Sequence, residues 1–219
     1  MRHLLCTVAV ALLATPAVAQ EHVQTYVYAV HHQLFGDIGT LTREIRDGGD
    51  TVAIATRADI RVKMLGVSLQ SIQLDWNEAW SGGRLQDFSG RTVRNKEINS
   101  VHAWSEGAGY IVEGEAGRTL APPGLQPINP WSSHFADASM LMSPESGKLY
   151  RASLEEVGTQ LLNAAGRARV VRHYVVHAGG TSHFYFDESG LLIATEYADI
   201  TGTVTISLKQ GAAEVAAVR

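Results

Sequence analysis

Between residues 51 and 64 the chain alternates with a strand's period: Val52, Ile54, Ala58, Ile60, Val62 and Met64 fall on one side, and Thr51, Arg57, Asp59, Arg61 and Lys63 on the other. Successive side chains of a strand point to opposite faces, so this is a strand with one wet face. Residues 68–80 repeat the pattern, with Ile72, Leu74, Trp76 and Trp80 in one set and Ser71, Gln73, Asp75 and Asn77 in the other. Gly66 and Gly82-Gly83 mark turns at either end. Helical bundles and doubly wound folds do not carry this signal over such lengths.

The alternation extends in both directions. Tyr26, Tyr28, Val30 and Leu34 line one face of an early strand, Gly36-Asp37 turns the chain into a second strand reaching Arg46, and Asp47 to Asp50 closes that hairpin. Further strands are expected at 84–94, 98–105, 109–115, 147–157, 168–177, 182–187, 191–199 and 203–209. The connections are too short for parallel crossovers, so an antiparallel meander is predicted. One segment interrupts it. Pro122-Pro123 and Pro127 are extended, and Asn129-Pro130 reads as an N-cap followed by proline at the first helical position. A short helix is predicted over residues 131–142, with Trp131, Phe135, Ala138 and either Leu141 or Met142 on the side facing the sheet. The fold class is mainly β: a curved antiparallel half-open barrel with one short helix packed on its concave face.

Residues 1–19 have the form of a signal peptide, with a basic start at Arg2, an apolar run from Leu4 to Ala14, and Ala17-Val18-Ala19 before the cut. The run is shorter than the roughly 20 residues that span a bilayer. Export to a bacterial periplasm is therefore expected, with a single domain over residues 20–210, a frayed tail over 211–219 and no membrane span after cleavage. The one cysteine, Cys6, lies in the leader. The mature chain thus has no disulfide, thiolate nucleophile or zinc–thiolate site. Hydrophobic residues make up 45% of the chain and charged residues 18%, which suits a packed core rather than disorder. A formal charge of −4 without a basic stripe argues against nucleic acid.

Chemistry-bearing residues are sparse. His173 and His177 share a strand face, and the Gly179-Gly180 turn returns His183 beside them. A three-residue turn would pair His183 with Val175 and gather all three, whereas a two-residue turn pairs it with Val176 and puts it on the opposite face. The Gly-Gly pair favours the two-residue turn, so no metal or other cofactor is expected. His31 and His32 point to opposite faces. There is no Gly-x-Ser-x-Gly. Glu78 stands between Trp76 and Trp80 on the apolar face, which makes it either an acid of raised pKa or, as favoured here, a strand-end carboxylate reaching Arg84. The aromatic residues Trp76, Trp80, Trp104, Trp131, Tyr26, Tyr28 and Tyr174 face inward, to line a cavity or to fill a core.

The order of several short motifs resembles an uncharacterised family of exported proteobacterial proteins, the domain of unknown function numbered 6134. The resemblance covers about Tyr26 to Leu208 and is carried by Gly36 to Gly39, Val62 to Val67, Glu78 to Leu85, Ala121-Pro122, Pro127 to Trp131, Gly147 to Leu149 and Tyr185 to Leu191. Asp199-Ile200-Thr201-Gly202 departs from the Asp-Gly-Ser turn expected there. The family implies no established activity. More loosely, the plan is similar to the half-barrels of periplasmic lipoprotein and lipid carriers, an analogy of architecture alone. Three readings follow. The first is a non-catalytic binding protein holding an apolar molecule, a lipid or acyl chain, against Trp76, Glu78, Trp80, Trp104, Trp131 and Tyr174. The second is an envelope module with a filled concave face, and the third an enzyme using Glu78.

Overall fold

The computed structural model describes residues 22–215, with side chains described as far as residue 211. The expected leader, residues 1–19, lies outside the described residues. Alternation in the sequence becomes eight consecutive strands: β1 His22–His32, β2 Gly36–Asp47, β3 Thr51–Met64, β4 Val67–Ser81, β5 Arg84–Arg94, β6 Glu97–Glu106, β7 Gly109–Gly114 and β8 Gly117–Ala121. After an inserted segment come β12 Leu154–Ala164, β13 Arg167–His177, β14 Thr181–Asp187, β15 Leu192–Ala198 and β16 Thr203–Val215. These thirteen strands form one antiparallel sheet ordered β12-β13-β14-β15-β16-β1-β2-β3-β4-β5-β6-β7-β8. The sheet is curved but does not close, since β12 and β8 remain its two edges. The tail expected from residue 211 falls partly outside the described residues; as far as Val215 its backbone pairs with β1.

The inserted segment carries β9 Leu125–Pro127, a 3-10 helix Ser133–Asp137, β10 Met140–Met142 and β11 Leu149–Arg151. It forms a small second sheet, β11-β10-β9, in which β9 and β10 run parallel. The helix predicted over 131–142 is thus reduced to a 3-10 turn followed by a strand. Burial explains the difference. Leu141 and Met142 are both fully buried, Leu141 in a cluster with Phe135, Tyr174 and Phe184, and Met142 in the main core with Phe88 and Leu125. Adjacent residues point into two separate cores only in an extended chain. The expected cap also differs: Ser132 precedes the helix without a side-chain capping bond, and Asn129 turns inward instead. The strand expected over 147–157 is broken at Ala152-Ser153, where the chain leaves the small sheet for the large one.

The insert lies on the concave face and plugs it. Its backbone comes so close to the sheet that a side chain would not fit at Gly90 or Gly114: a Cβ on Gly90 would lie 2.9 Å from the Pro144 carbonyl oxygen and 2.8 Å from the Phe88 ring. Gly90→Ala is expected to lift the plug and cost roughly 1–3 kcal/mol. Thermal unfolding checks this against Gly180→Ala, where no atom lies within 4 Å and the backbone is unstrained, so that substitution should be neutral.

Candidate functional site

The plug leaves a chamber of about 830 Å³ between itself and the inner face of the sheet. Its walls are mostly apolar, formed by Val30, Ile38, Ile60, Ile72, Trp76 and Phe184 among others, which the alternation of five different strands turns inward, with Arg43 and Asn129 also in the lining. At the mouth stand Gln70, Asn95 and the half-exposed ion pair of Arg94 with Glu145, Nη2 to Oε2 at 2.9 Å. His32, only 1% exposed, accepts the Leu34 N–H at Nδ1 (3.0 Å), which leaves its Nε2–H to donate to Thr201 Oγ1 at 3.0 Å. Partial burial works against the Asp199 carboxylate beside it, yet hydrogen bonds from Thr201, His32 and Gly202 hold it below the usual range. The same bonds give Asp199 to Gly202 a compact turn in place of the Asp-Gly-Ser form.

At the inner wall a guanidinium is buried among apolar groups. Arg43, 3% exposed, donates from Nη1 to the Pro130 carbonyl (2.8 Å), from Nη2 to Asn129 Oδ1 (2.5 Å) and from Nε to Thr56 Oγ1 (3.4 Å). Asn129 then donates from Nδ2 to Glu78 Oε1 at 2.8 Å, and the Trp80 indole N–H donates to Glu78 Oε2 at 2.9 Å. The plug residue Asn129 therefore bridges a buried cation on β2 and a buried carboxylate on β4. Burial raises Glu78 to about 7, against the opposing pull of the Asn129 and Trp80 bonds and the Arg43 charge.

A family model described as Domain of unknown function (DUF6134) matches residues 36–209. The chain belongs to this family. No curated protein matches this DUF6134 chain. A solved beta-barrel-like protein of DUF1849 from Brucella abortus is similar in structure, with a TM-score of 0.59 and 11% identity over 87% of this chain and 96% of that one. At that identity the likeness concerns the fold alone. A DUF1089 family protein from Pseudomonas aeruginosa aligns over 99% of this chain and 100% of its own, at 12% identity and a TM-score of 0.31, too low to support an argument.

In this DUF6134 protein the aromatic residues named from sequence are dispersed. Trp76 lines the chamber and donates its indole N–H to Thr92 Oγ1 at 3.2 Å. Glu78, Trp80 and Trp131 border a separate small pocket of about 90 Å³ on the other side of the Asn129 bridge, where Trp131 meets Trp80 edge-on at 6.0 Å. Tyr174 belongs to the second cluster, edge-on to Phe186 at 5.8 Å. Trp104, expected to face inward, lies on the outer face beside His102 and beneath the Arg118 guanidinium. Leu34 likewise sits exposed in a turn. Nor does Glu78 reach Arg84, whose guanidinium bonds the Gly107 and Gly109 carbonyls instead.

The register of β13 and β14 pairs Val175 with His183, across a three-residue turn rather than the two-residue turn that Gly179-Gly180 favours. Gly179, at positive φ, lies against the Tyr150 ring, which leaves no room for a Cβ there. His173 Nε2 and His183 Nδ1 are 2.9 Å apart, while His177 turns to Thr181. Burial and the neighbouring His183 lower the pKa of His173. Among the described residues, no three potential ligands are arranged to hold a metal. Sequence reading missed Arg43, although its place between Leu41 and Ile45 on the inward set of β2 was a visible signal.

The raised Glu78 pKa gives a signed expectation. Below about pH 4.5 the carboxyl is protonated folded or unfolded; between 4.5 and about 7 only the folded state retains the proton. Stability should therefore fall as pH rises through this window, by on the order of 3 kcal/mol, and level off above it. Denaturant unfolding across pH 4 to 8 measures the slope, which Glu78→Gln should abolish while costing roughly 1–3 kcal/mol, because its amide N–H must face a second donor. Asn129→Ala should cost on the order of 3 kcal/mol by stripping partners from both buried charges.

Proposed function

We propose that this protein is a non-catalytic binding protein of the bacterial periplasm, holding one apolar molecule, a lipid or acyl chain, between its sheet and its plug. The observation that carries this reading is the chamber itself: about 830 Å³, mostly apolar along its walls apart from the hydrogen-bonded Arg43 and Asn129, and polar at its mouth. Ligand sites have volumes of roughly 300–1,000 Å³ and are lined in this way, with few polar groups that fix orientation. An amphiphile would place its chain against Ile72 and Trp76 and its head near Arg94, Glu145 and Asn95. A filled envelope module would have no such space.

Glu78, with its pKa near 7, is the feature that favours an enzyme. Against that reading, both its oxygens are occupied by Asn129 and Trp80, and it borders the small pocket rather than the chamber. Its role is to hold the plug.

Native mass spectrometry of protein purified from periplasm, with organic extraction, is expected to find a stoichiometric apolar molecule. A fluorescent fatty acid should bind and perturb Trp76 emission, and Ile72→Trp, which adds an indole's bulk to the chamber wall beside Arg94, should weaken uptake severalfold without loss of fold. Uptake undiminished by Ile72→Trp would place the ligand elsewhere and end this reading.

A further inference from the structure

The antiparallel order puts six hairpin turns at one end of the sheet, and the four central ones, those of β15–β16, β1–β2, β3–β4 and β5–β6, follow one another around the curve. Chamber-lining residues Phe35, Leu69, Asn95 and Ile200 come from these same turns or beside them, so this end is the mouth. It is also where exposed apolar side chains gather. Leu34 is 67% exposed, Leu65 98% and Ile200 fully exposed, each at the tip of a different hairpin, with Met64, Val67 and Ile98 beside them.

Backbone conformation sets two of these tips apart. Leu65 and Gly66 have φ of 51° and 82°, and Asn95 and Lys96 have φ of 51° and 78°. Such two-residue turns take Asn or Asp followed by Gly, because positive φ is costly for other residues, most of all bulky ones. Here a leucine occupies the first position of one turn and a lysine the second position of another. The β12–β13 turn at the opposite end takes the same conformation with the small Ala165; at the rim it holds a bulky leucine, 98% exposed with nothing packed on it, which points to a task outside the fold.

We infer that this rim docks on a lipid bilayer, with Leu34, Leu65 and Ile200 entering the interfacial layer and the chamber mouth facing the membrane. The apolar groups project as separate points along a curve of turns, which suits insertion between headgroups better than the contiguous flat area a protein partner buries. Charge at this end is balanced rather than basic: Lys63 and Lys96 stand beside Glu97, and Asp37 and Asp199 are hydrogen-bonded to the imidazoles of His31 and His32. Docking therefore rests on the inserted apolar groups rather than on headgroup charge. The inference deepens the chamber reading and rests on it for its purpose: a molecule insoluble in water passes between membrane and chamber without crossing solvent.

Flotation with vesicles of phosphatidylethanolamine and phosphatidylglycerol tests this. The wild-type protein should float with the vesicles at low and high salt alike. Leu65→Asn restores the residue the turn prefers, so it should raise or preserve the unfolding midpoint while weakening vesicle binding about tenfold, as should Ile200→Thr, since each removes one inserted apolar group. Ile72→Trp should float like wild type despite its weakened fatty-acid uptake. Wild-type protein that stays in the soluble fraction, or Leu65→Asn that floats undiminished, overturns the inference. So does a dimer in sedimentation equilibrium that Leu65→Asn dissociates, which would assign the rim to a second copy of this chain. Flotation of a wild-type protein that takes up no fatty acid would support the rim and refute the chamber reading.

Discussion

A guanidinium inside an apolar wall requires partners, and this fold is arranged around supplying them to Arg43. The sheet provides Thr56 and the face of the Tyr28 ring, and the plug provides the Pro130 carbonyl and the Asn129 side chain. Without the plug in place, a buried cation would be left unsatisfied, a situation far costlier than an exposed one. That requirement draws residues 128–130 to one spot on β2 and β4, and the rest of the insert is then fixed by apolar contacts on either side. The bridge also divides the concave space, separating the large chamber from the small pocket beside Trp80 and Trp131.

Much of the sheet was legible because alternation over long strands is an unambiguous code. Residues 51–64 and 68–80 pair in the register their wet and dry faces require. The inserted segment was harder to read. Trp131, Phe135, Ala138 and Leu141 do have helical spacing, and all of them are at least partly buried, but they serve two cores, and spacing along the chain does not tell one core from two. Turn length at Gly179-Gly180 is hard to read from sequence for a related reason: the turn packs against the Tyr150 ring, which is distant along the chain.

The site was less legible than the fold. Aromatic content marked Trp76 correctly as an inward residue, but inward means several places in a molecule with a chamber, a small pocket and a second cluster behind the plug. Trp104 shows the limit of residue type as a guide, since a large indole also packs well on an outer face beneath an arginine. Family membership and a shared fold with a beta-barrel-like protein of DUF1849 place the chain among relatives without adding a role for any residue.

The unclosed sheet has a geometric consequence. In a closed barrel, strand number and stagger together fix the diameter, so interior space is quantised by the count of strands. Here β8 and β12 do not meet, and the curvature of the sheet is free to follow whatever lies within it. The calibre of the chamber is thus set by the insert between β8 and β12 rather than by the strands that surround it. Lengthening or trimming that one segment would resize the interior continuously, leaving every strand and every register as it is.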